Sequence, residues 1–496
     1  MKRYICKEKI DEKRIRVKII SKEGRIRTRI EHVGVAHNEE ALKMFLALAR
    51  ERLRDERQQE FKFSEYGQEE QSEVIHNKSY SKYLYDTLSE VYDKLNLKEL
   101  KDETFKQIVI ARIIKPSSKL ETVEILKKLQ LEYTISNSGI WRCLRETVKE
   151  SYREKISDRF IEFIGINRAT LLLYDVTTLY FEIEKEDEYR KSGLSKERRL
   201  EPQIVVGLLV DEKGFPLGIS SFEGNKAETK TMLPVLKEFR EKCKVKDLTV
   251  VADAAMMSED NLGRLEKEGF KFIVGSRLAK TPYEIEEYRK GETEQLEDGH
   301  IFDTQKTFKS KESKKEIQRR VIYQYRQKRA ELDLRNIEKQ IKKATKAIEN
   351  NLLTRKPRFL KLVQAKKELD YDLIKDAKLR AGIKGYVTNL DCDTKIIIDG
   401  YHNLFNVEKS FRMSKTDLRT RPIFHQTRDS IEAHLTVCFA ALGICRYIQD
   451  RTKLSIKRFV NRLAELQTAI IEIAGKKIIA RPRIDVETQK FVKLLK

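Results

Sequence analysis

Apolar and polar residues alternate with a period near two in Ile15-Arg-Val-Lys-Ile-Ile20 and again in Arg25-Ile-Arg-Thr-Arg-Ile30, which predicts a small basic β element at the start of the chain. From Asn38 to about Gln59 the period lengthens to that of a helix, and the Glu- and Gln-rich stretch to about Gln71 predicts a linker. Residues 75–165 predict a helical module. One helix, Thr104 to Ile114, stops before Lys115-Pro116-Ser-Ser118, and Ser118 can cap a second helix through Leu129. Ser136-Asn-Ser138 opens a third, in which Ile140, Leu144 and Val148 recur every four residues while Trp141, Arg142 and Arg145 take the other face. Helix, short turn and helix with a basic exposed face fits a helix-turn-helix-like reader of a DNA end, and it fits an ordinary helical bundle with a solvated basic surface equally well.

The pattern changes character over 166–280, where short apolar runs alternate with helical periodicity. Leu171-Leu-Leu-Tyr174, Ile204 to Val210, Pro216 to Ile219, Leu248 to Ala252 and Phe272 to Val274 predict strands, with helices near Lys226–Lys242 and Ser258–Glu268. Three strands, helix, strand, helix, strand is the order of an RNase H-like α/β core. Residues 281–384 interrupt it. There Ala330, Leu334, Ile337, Ile341, Ala344 and Ile348 alternate at four and three, a heptad seam that predicts a helical hairpin or coiled-coil arm, with a second helix from about Pro357 to Arg380. The insertion therefore reads as largely helical, serving as a DNA clamp, a protomer contact or a passive spacer. The core resumes over 385–450 with two predicted strands, Gly385 to Asn389 and Lys395 to Asp399, then a helix from Tyr401 to Lys415; residues 451–496 predict a helical tail. Seven residues fall only about 20° short of two helical turns, so Tyr401, Glu408 and Lys415 would share one face, beside an apolar stripe of Val407 and Phe411.

Charge narrows the function classes. Lys and Arg number 102 against 79 Asp and Glu, a net charge of +23, which is the footprint of a polyanionic partner. Leu435 to Cys445, the longest apolar run, is well short of the roughly 20 residues a bilayer needs, and the N-terminus lacks a hydrophobic signal core. The six cysteines, at 6, 143, 243, 392, 438 and 445, form no Cys-x-x-Cys pair, which fits reduced thiols in a cytoplasmic, nucleoid-associated setting. Neither a His-Glu-x-x-His pair nor a phosphate-binding Gly-x-x-x-x-Gly-Lys-Ser/Thr loop occurs.

Three acids stand at comparable places: Asp175 ending the first core strand, Asp253 ending the fourth, and Glu408 on the helix after the fifth. Carboxylates at one edge of a sheet suit Mg²⁺, and two ions about 3.5 to 4 Å apart support in-line displacement at phosphorus without a covalent nucleophile. Each acid also has an ordinary alternative. Asp175, before Val-Thr-Thr178, can tie down a turn, and Asp253 can cap the following helix. Two strand-ending acids and a third on a basic helix favour the metal reading.

The chain resembles the DDE transposases of bacterial insertion sequences, and in particular the IS-four-like group marked by Tyr-x2-Arg-x3-Glu-x6-Lys. Tyr401, Glu408 and Lys415 keep that spacing, with Leu404 in the Arg position. The resemblance extends over roughly 165–445 and takes in Tyr174-Asp175-Val-Thr-Thr178, Gly214-Phe-Pro-Leu-Gly218, Glu223-Gly-Asn225, Val250-Val-Ala-Asp253, Thr388-Asn389 and Arg421-Pro422. It implies that Asp175, Asp253 and Glu408 bind two Mg²⁺ ions, with Mn²⁺ able to substitute, and that Tyr401 and Lys415 contact transposon-end phosphates. Arg412, Arg419 or Arg421 would make the phosphate contact absent at Leu404. The implied activity is cleavage at transposon ends and strand transfer into target double-stranded DNA by a DNA-bound homodimer. A nuclease of the same fold without strand transfer, and a silent DNA-binding derivative, are the alternatives.

Overall fold

The computed structural model describes the chain except for residues 1, 12–13, 24–25, 56–73, 130, 132–134, 166–168, 183–184, 194–200, 228–229, 246, 255–257, 277, 279–280, 292–295, 310–315, 350–356, 364–365 and 474–475. The predicted linker up to Gln71 lies almost wholly outside the described residues. Two compact units result, Met1–Glu73 and Val74–Lys496.

In the first unit, β1 (Lys2–Lys9), β2 (Ile15–Glu23) and β3 (Ile26–Ala36) form an antiparallel three-stranded sheet, where the alternation predicts only two strands. Helix α1 (Glu39–Asp55) opens where Asn38 Oδ1 accepts from the Ala41 amide, and packs Leu42, Phe45 and Leu46 on Val17 and Ile19.

The second unit begins with β4 (Val74–Tyr80), then α2 (Lys82–Lys94), α3 (Glu103–Ile114), α4 (Lys119–Lys128), α5 (Asn137–Lys149) and α6 (Tyr152–Ile164). The predicted caps form: Ser118 accepts from the Glu121 amide and Ser136 from the Gly139 amide. Ile140, Cys143 and Leu144 are buried, and Trp141, Arg142 and Arg145 are exposed.

Next come β5 (Ala169–Tyr180), β6 (Gln203–Asp211), β7 (Pro216–Glu223), α7 (Met232–Cys243), β8 (Asp247–Ala252), α8 (Glu259–Lys267) and β9 (Lys271–Ser276), the predicted order. Strands β5, β8 and β9 pair in parallel, and β6 and β7 are antiparallel. Strand β6 is buried along eight of its nine residues, as its unbroken Ile-Val-Val-Gly-Leu-Leu-Val run demands of a strand covered on both faces.

The insertion is not largely helical. After α9 (Tyr283–Gly291), strands β10 (Ile301–Lys309) and β11 (Glu316–Tyr325) join β14 (Ile383–Thr388) and extend the core sheet to eight strands, in the order β10-β11-β14-β9-β8-β5-β6-β7. Helix α10 (Gln327–Glu349) carries the heptad seam, with Ala330, Ile337 and Ala344 buried. Its partner is not a second long helix. The hairpin β12 (Leu360–Val363) and β13 (Lys366–Leu369), followed by α11 (Tyr371–Leu379), supplies Phe359, Ile374 and Ala377 to the same apolar cluster.

Beyond β14 the predicted strand Lys395–Asp399 is helix α12 (Thr394–His402), and α13 (Phe405–Thr416) follows. Asp393 caps α12 through the Lys395 amide, and the helix buries Ile397 and Ile398 while Ile396 faces out, so helical capping and burial override the strand preference of three successive isoleucines. Helix α14 (Arg428–Thr452) is long and apolar enough to cross a bilayer by composition, but it is buried inside the fold, packed on α3, α5, α6 and β7. The predicted helical tail is instead α15 (Ile456–Ala464), β15 (Thr468–Ile473), β16 (Lys476–Ala480) and α16 (Val486–Lys493), with β15 pairing to β4 at the other end of this unit.

At Gly443 α14 closes directly on α6, because a Cβ there would collide with the buried Phe160 ring, itself edge-on to Phe439 and Phe215. Gly443→Ala is expected to lower the unfolding free energy by about 1–3 kcal/mol, and Phe160→Leu in the same chain to recover part of that loss in urea titration. Equal stability of Gly443→Ala and the unaltered protein would contradict this packing.

Candidate active site and its basic surroundings

Asp175 does not end its strand. Strand β5 continues to Tyr180, paired with β6 alone, while its parallel partner β8 stops at Ala252. The β5–β8 ladder pairs Leu172 with Val250 and Leu173 with Val251, and the same offset carried two residues onward sets Asp175 level with Asp253. The two acids therefore stand at matching positions just beyond the end of the β5–β8 ladder. Asp253 is exposed and does not cap α8; that role falls to Ser258, which accepts from the Asn261 amide.

The helix carrying Glu408 differs from the sequence expectation. One continuous helix over Tyr401–Lys415 is replaced by α12 and α13, broken at Asn403 and Leu404. The segments dock on different strands, α12 on β8, β9 and β14 and α13 on β5 and β6, so a single straight axis cannot serve both. Tyr401 and Glu408 therefore share a site through the turn between two helices rather than through one helical face. Glu408 is exposed in the first turn of α13, and Val407 and Phe411 dock that helix as the apolar stripe predicted. Leu404 is only 7% exposed and packs in the core.

Tyr401 is buried, and its hydroxyl donates to Asp253 Oδ1 at 3.4 Å. Burial first, then the negative charges of Asp253 and Glu408, push its phenol well above the usual range, so it is a fixed proton donor. Its ring meets Tyr386 edge-on at 5.0 Å. Lys384 of β14 lies over the Tyr401 ring, Nζ 4.4 Å from the centroid. Burial lowers the pKa of this amine and Arg329 adds to the effect, while Asp253 and Glu408 oppose them. Both acids thus act on both Tyr401 and Lys384.

Beside Asp253 opens a cleft of about 460 Å³, lined by Tyr401 and Lys384 from the core and by Arg329, Arg358 and Arg380 from the insertion. None of these four cations stood out in the sequence, because their convergence depends on β10 and β11 drawing the insertion onto the sheet. Arg412 is exposed one turn beyond Glu408, and borders a separate cleft of about 400 Å³ with Lys213, Lys409, Arg446 and Lys453. Arg419 is exposed at a left-handed φ of 44°. Arg421 lies over the ring of Tyr180, 5.7 Å from its centroid, five residues along β5 from Asp175. Lys415 is half-buried on α13. Arg142 and Arg145 lie on α5, outside the elements that carry the acids.

Among the described residues no three His, Cys, Asp or Glu side chains already surround one metal-sized point. The donor set nevertheless suits a hard cation such as Mg²⁺, which is held by one or two carboxylates together with water and substrate oxygens rather than by an all-protein cage.

An α/β core with one acid on β5, a second just past the end of the neighbouring β8 and a third on a helix docked on β5 and β6 defines a candidate phosphoryl-transfer site in basic surroundings. The chain belongs to the transposase DDE domain family, whose model matches residues 167–444 and so spans β5 to α14 and all three acids. No curated protein matches the chain. Among solved structures, the chain is similar to a piggyBac transposase synaptic complex with hairpin DNA, at 12% identity and a TM-score of 0.40 over 80% of this chain and 82% of that one. It is also similar to a Mos1 transposase paired-end complex with the left transposon end, at 12% identity and a TM-score of 0.16 over 46% of this chain and 66% of that one.

Proposed function

We propose that the chain is an insertion-sequence transposase of the IS-four-like group, with an RNase H-like core that cuts transposon ends and joins them to target DNA. The observation that carries this reading is the β5–β8 register, which sets Asp175 level with Asp253 inside the family-matched segment. Asp175, Asp253 and Glu408 would hold divalent cations, Mg²⁺ with Mn²⁺ as a substitute. Such ions, when bound, polarise the phosphate and stabilise charge on the attacking and leaving oxygens.

The chain's own groups do the rest. Tyr401 donates to Asp253 and fixes that carboxylate. Tyr401 and Lys415 would touch the end phosphates, with Arg412, Arg419 and Arg421 along the path of the duplex and Arg142 and Arg145 on the helix-turn-helix-like module. Water attacks one phosphodiester and frees a 3′-OH; that hydroxyl then attacks a second phosphodiester, whose leaving 3′ oxygen takes up a proton. Two ends handled together imply a homodimer on DNA.

The test uses a duplex end already nicked to bear the 3′-OH, incubated with supercoiled target plasmid and Mg²⁺. Joined products are expected, and hydrolysis with no joining would favour the nuclease alternative. Affinity for the same duplex is expected to fall roughly 10³-fold or more between 50 and 200 mM salt if six or more phosphates are contacted. A flat salt response would sink the extended basic interface.

A further inference from the structure

Lys384 is half-buried on β14 with its ammonium over the faces of Tyr401 and Tyr386, 4.4 and 5.8 Å from their centroids. No carboxylate among the described residues lies within ion-pair distance of it, although Asp253 and Glu408 both act on it across the site. Withdrawing an ammonium from water costs free energy unless an anion or acceptors replace its hydration. The tyrosine faces offset part of that cost. They leave the net positive charge unneutralised, on the wall of a cleft that Asp253, Arg329 and Arg358 also line. The cleft is open and polar, and Arg329, Arg358, Arg380 and Lys384 outnumber Asp253 and Asp333 on its walls even though Arg329 pairs with Asp333, so the complementary ligand is an anion on a polymer that can reach Asp253. Leu404, where the signature sequence has arginine, is buried and supplies no contact to such a ligand.

We propose that Lys384 binds a non-bridging oxygen of the phosphodiester next to the bond that is cut. The strand β14 thereby supplies the cation that the α12–α13 turn lacks at Leu404, and the cut strand enters along the cleft shared with Arg329 and Arg358. This assignment rests on the transposase reading above. A lysine suits the role because its compact charge and three donors can follow a phosphate through the reaction, where a planar guanidinium would need a fixed bidentate geometry.

The test pairs a neutralised side chain with a neutralised phosphate. Lys384→Met keeps the aliphatic stem against Tyr401 and removes only the charge; Lys490→Met, on the exposed face of α16, is the control for loss of one charge. Duplexes selected by the unaltered protein from a random-sequence pool are made with one methylphosphonate at each position around the cleavage point. Single-turnover cleavage is read in Mg²⁺ and affinity in Ca²⁺. Lys384→Met is expected to slow cleavage roughly 100-fold, the scale of losing one charge-stabilising donor, with affinity lowered less than tenfold. Lys384→Arg should recover to within about tenfold of the unaltered rate, which a folding defect would not allow. One methylphosphonate beside the cleaved bond should slow the unaltered protein by a similar factor and leave Lys384→Met almost unchanged. Independent, multiplicative effects at every position, or a Lys384→Met protein indistinguishable from Lys490→Met, would overturn the assignment. Failure of the transposase reading looks different: Asp175→Asn would then cleave normally, whatever Lys384→Met does. A protein that selects no duplex overturns both.

Discussion

Asp175→Asn, Asp253→Asn and Glu408→Gln are each expected to lower end cleavage by roughly a thousandfold or more, equivalent to about 4 kcal/mol of transition-state stabilisation, while duplex binding holds or tightens. Each replacement is nearly isosteric and removes one negative charge from a basic surface, so the change in binding should run opposite to the change in rate. Folding should be little affected, since Asp253 and Glu408 are exposed and Asp175 is half-buried on a strand whose pairing uses backbone groups. In Asp253→Asn the amide oxygen would still accept the Tyr401 hydrogen bond, so the defect of that variant would isolate the lost charge from lost positioning. Normal cleavage by any one of the three variants removes that acid from the site; normal cleavage by Asp175→Asn removes the paired-strand argument altogether.

The strand-edge placing of Asp175 and Asp253 is legible because the signals around them are local. An apolar run of β-branched and leucine residues needs no tertiary information to be seen, and strands β5 to β9 all announce themselves in that way, with the runs of β5 and β8 leading straight into Asp175 and Asp253. The caps at Ser118 and Ser136 are equally local. What the sequence could not show is how far β5 outruns β8, which decides that Asp175 sits where a ladder opens rather than at a strand end. Ile396 to Ile398 misled for the opposite reason, because local β preference there is overruled by the Asp393 cap and by burial against β8, β9 and β14. Strand β10 has a signal, Phe302, Thr304, Lys306 and Phe308 on one face, but polar and charged residues on both faces obscure it beside the stronger heptad of α10. The β15 to β4 pairing joins segments almost the whole length of this unit apart, and nothing in either segment names the other. The cleft by Asp253 follows from such distant pairing, so nothing local marks Lys384.

Glu432→Ala is expected to destabilise the protein by about 3–5 kcal/mol, because it strands a cation and two hydroxyls around an emptied position. Glu432 is in the first two turns of α14, 17% exposed, and accepts from Arg153 of α6 at 2.5 Å, from Tyr189 at 2.7 Å and from Ser221 of β7 at 2.7 Å. One carboxylate thus fastens the helical module and the edge of the core sheet to the central helix. Burial alone would raise its pKa, but the Arg153 charge and the Ser221 and Tyr189 hydroxyls outweigh it and hold the carboxyl below the usual range. A lowered folded-state pKa means stability that is complete above the ordinary carboxyl value of about 4.5 and is lost as pH falls through the lowered one. Urea titration from pH 7 down to pH 3 should therefore show the difference between the unaltered protein and Glu432→Gln shrinking in that acid window, since Gln keeps the shape and has no charge to lose. Arg153→Met with Glu432→Leu should cost less than the two single changes added, because removing both charges leaves neither unpaired. A difference that stays constant down to pH 3 would mean that the network holds α14 by shape rather than by charge, and that the position of α13 and Glu408 beside it owes nothing to this carboxylate.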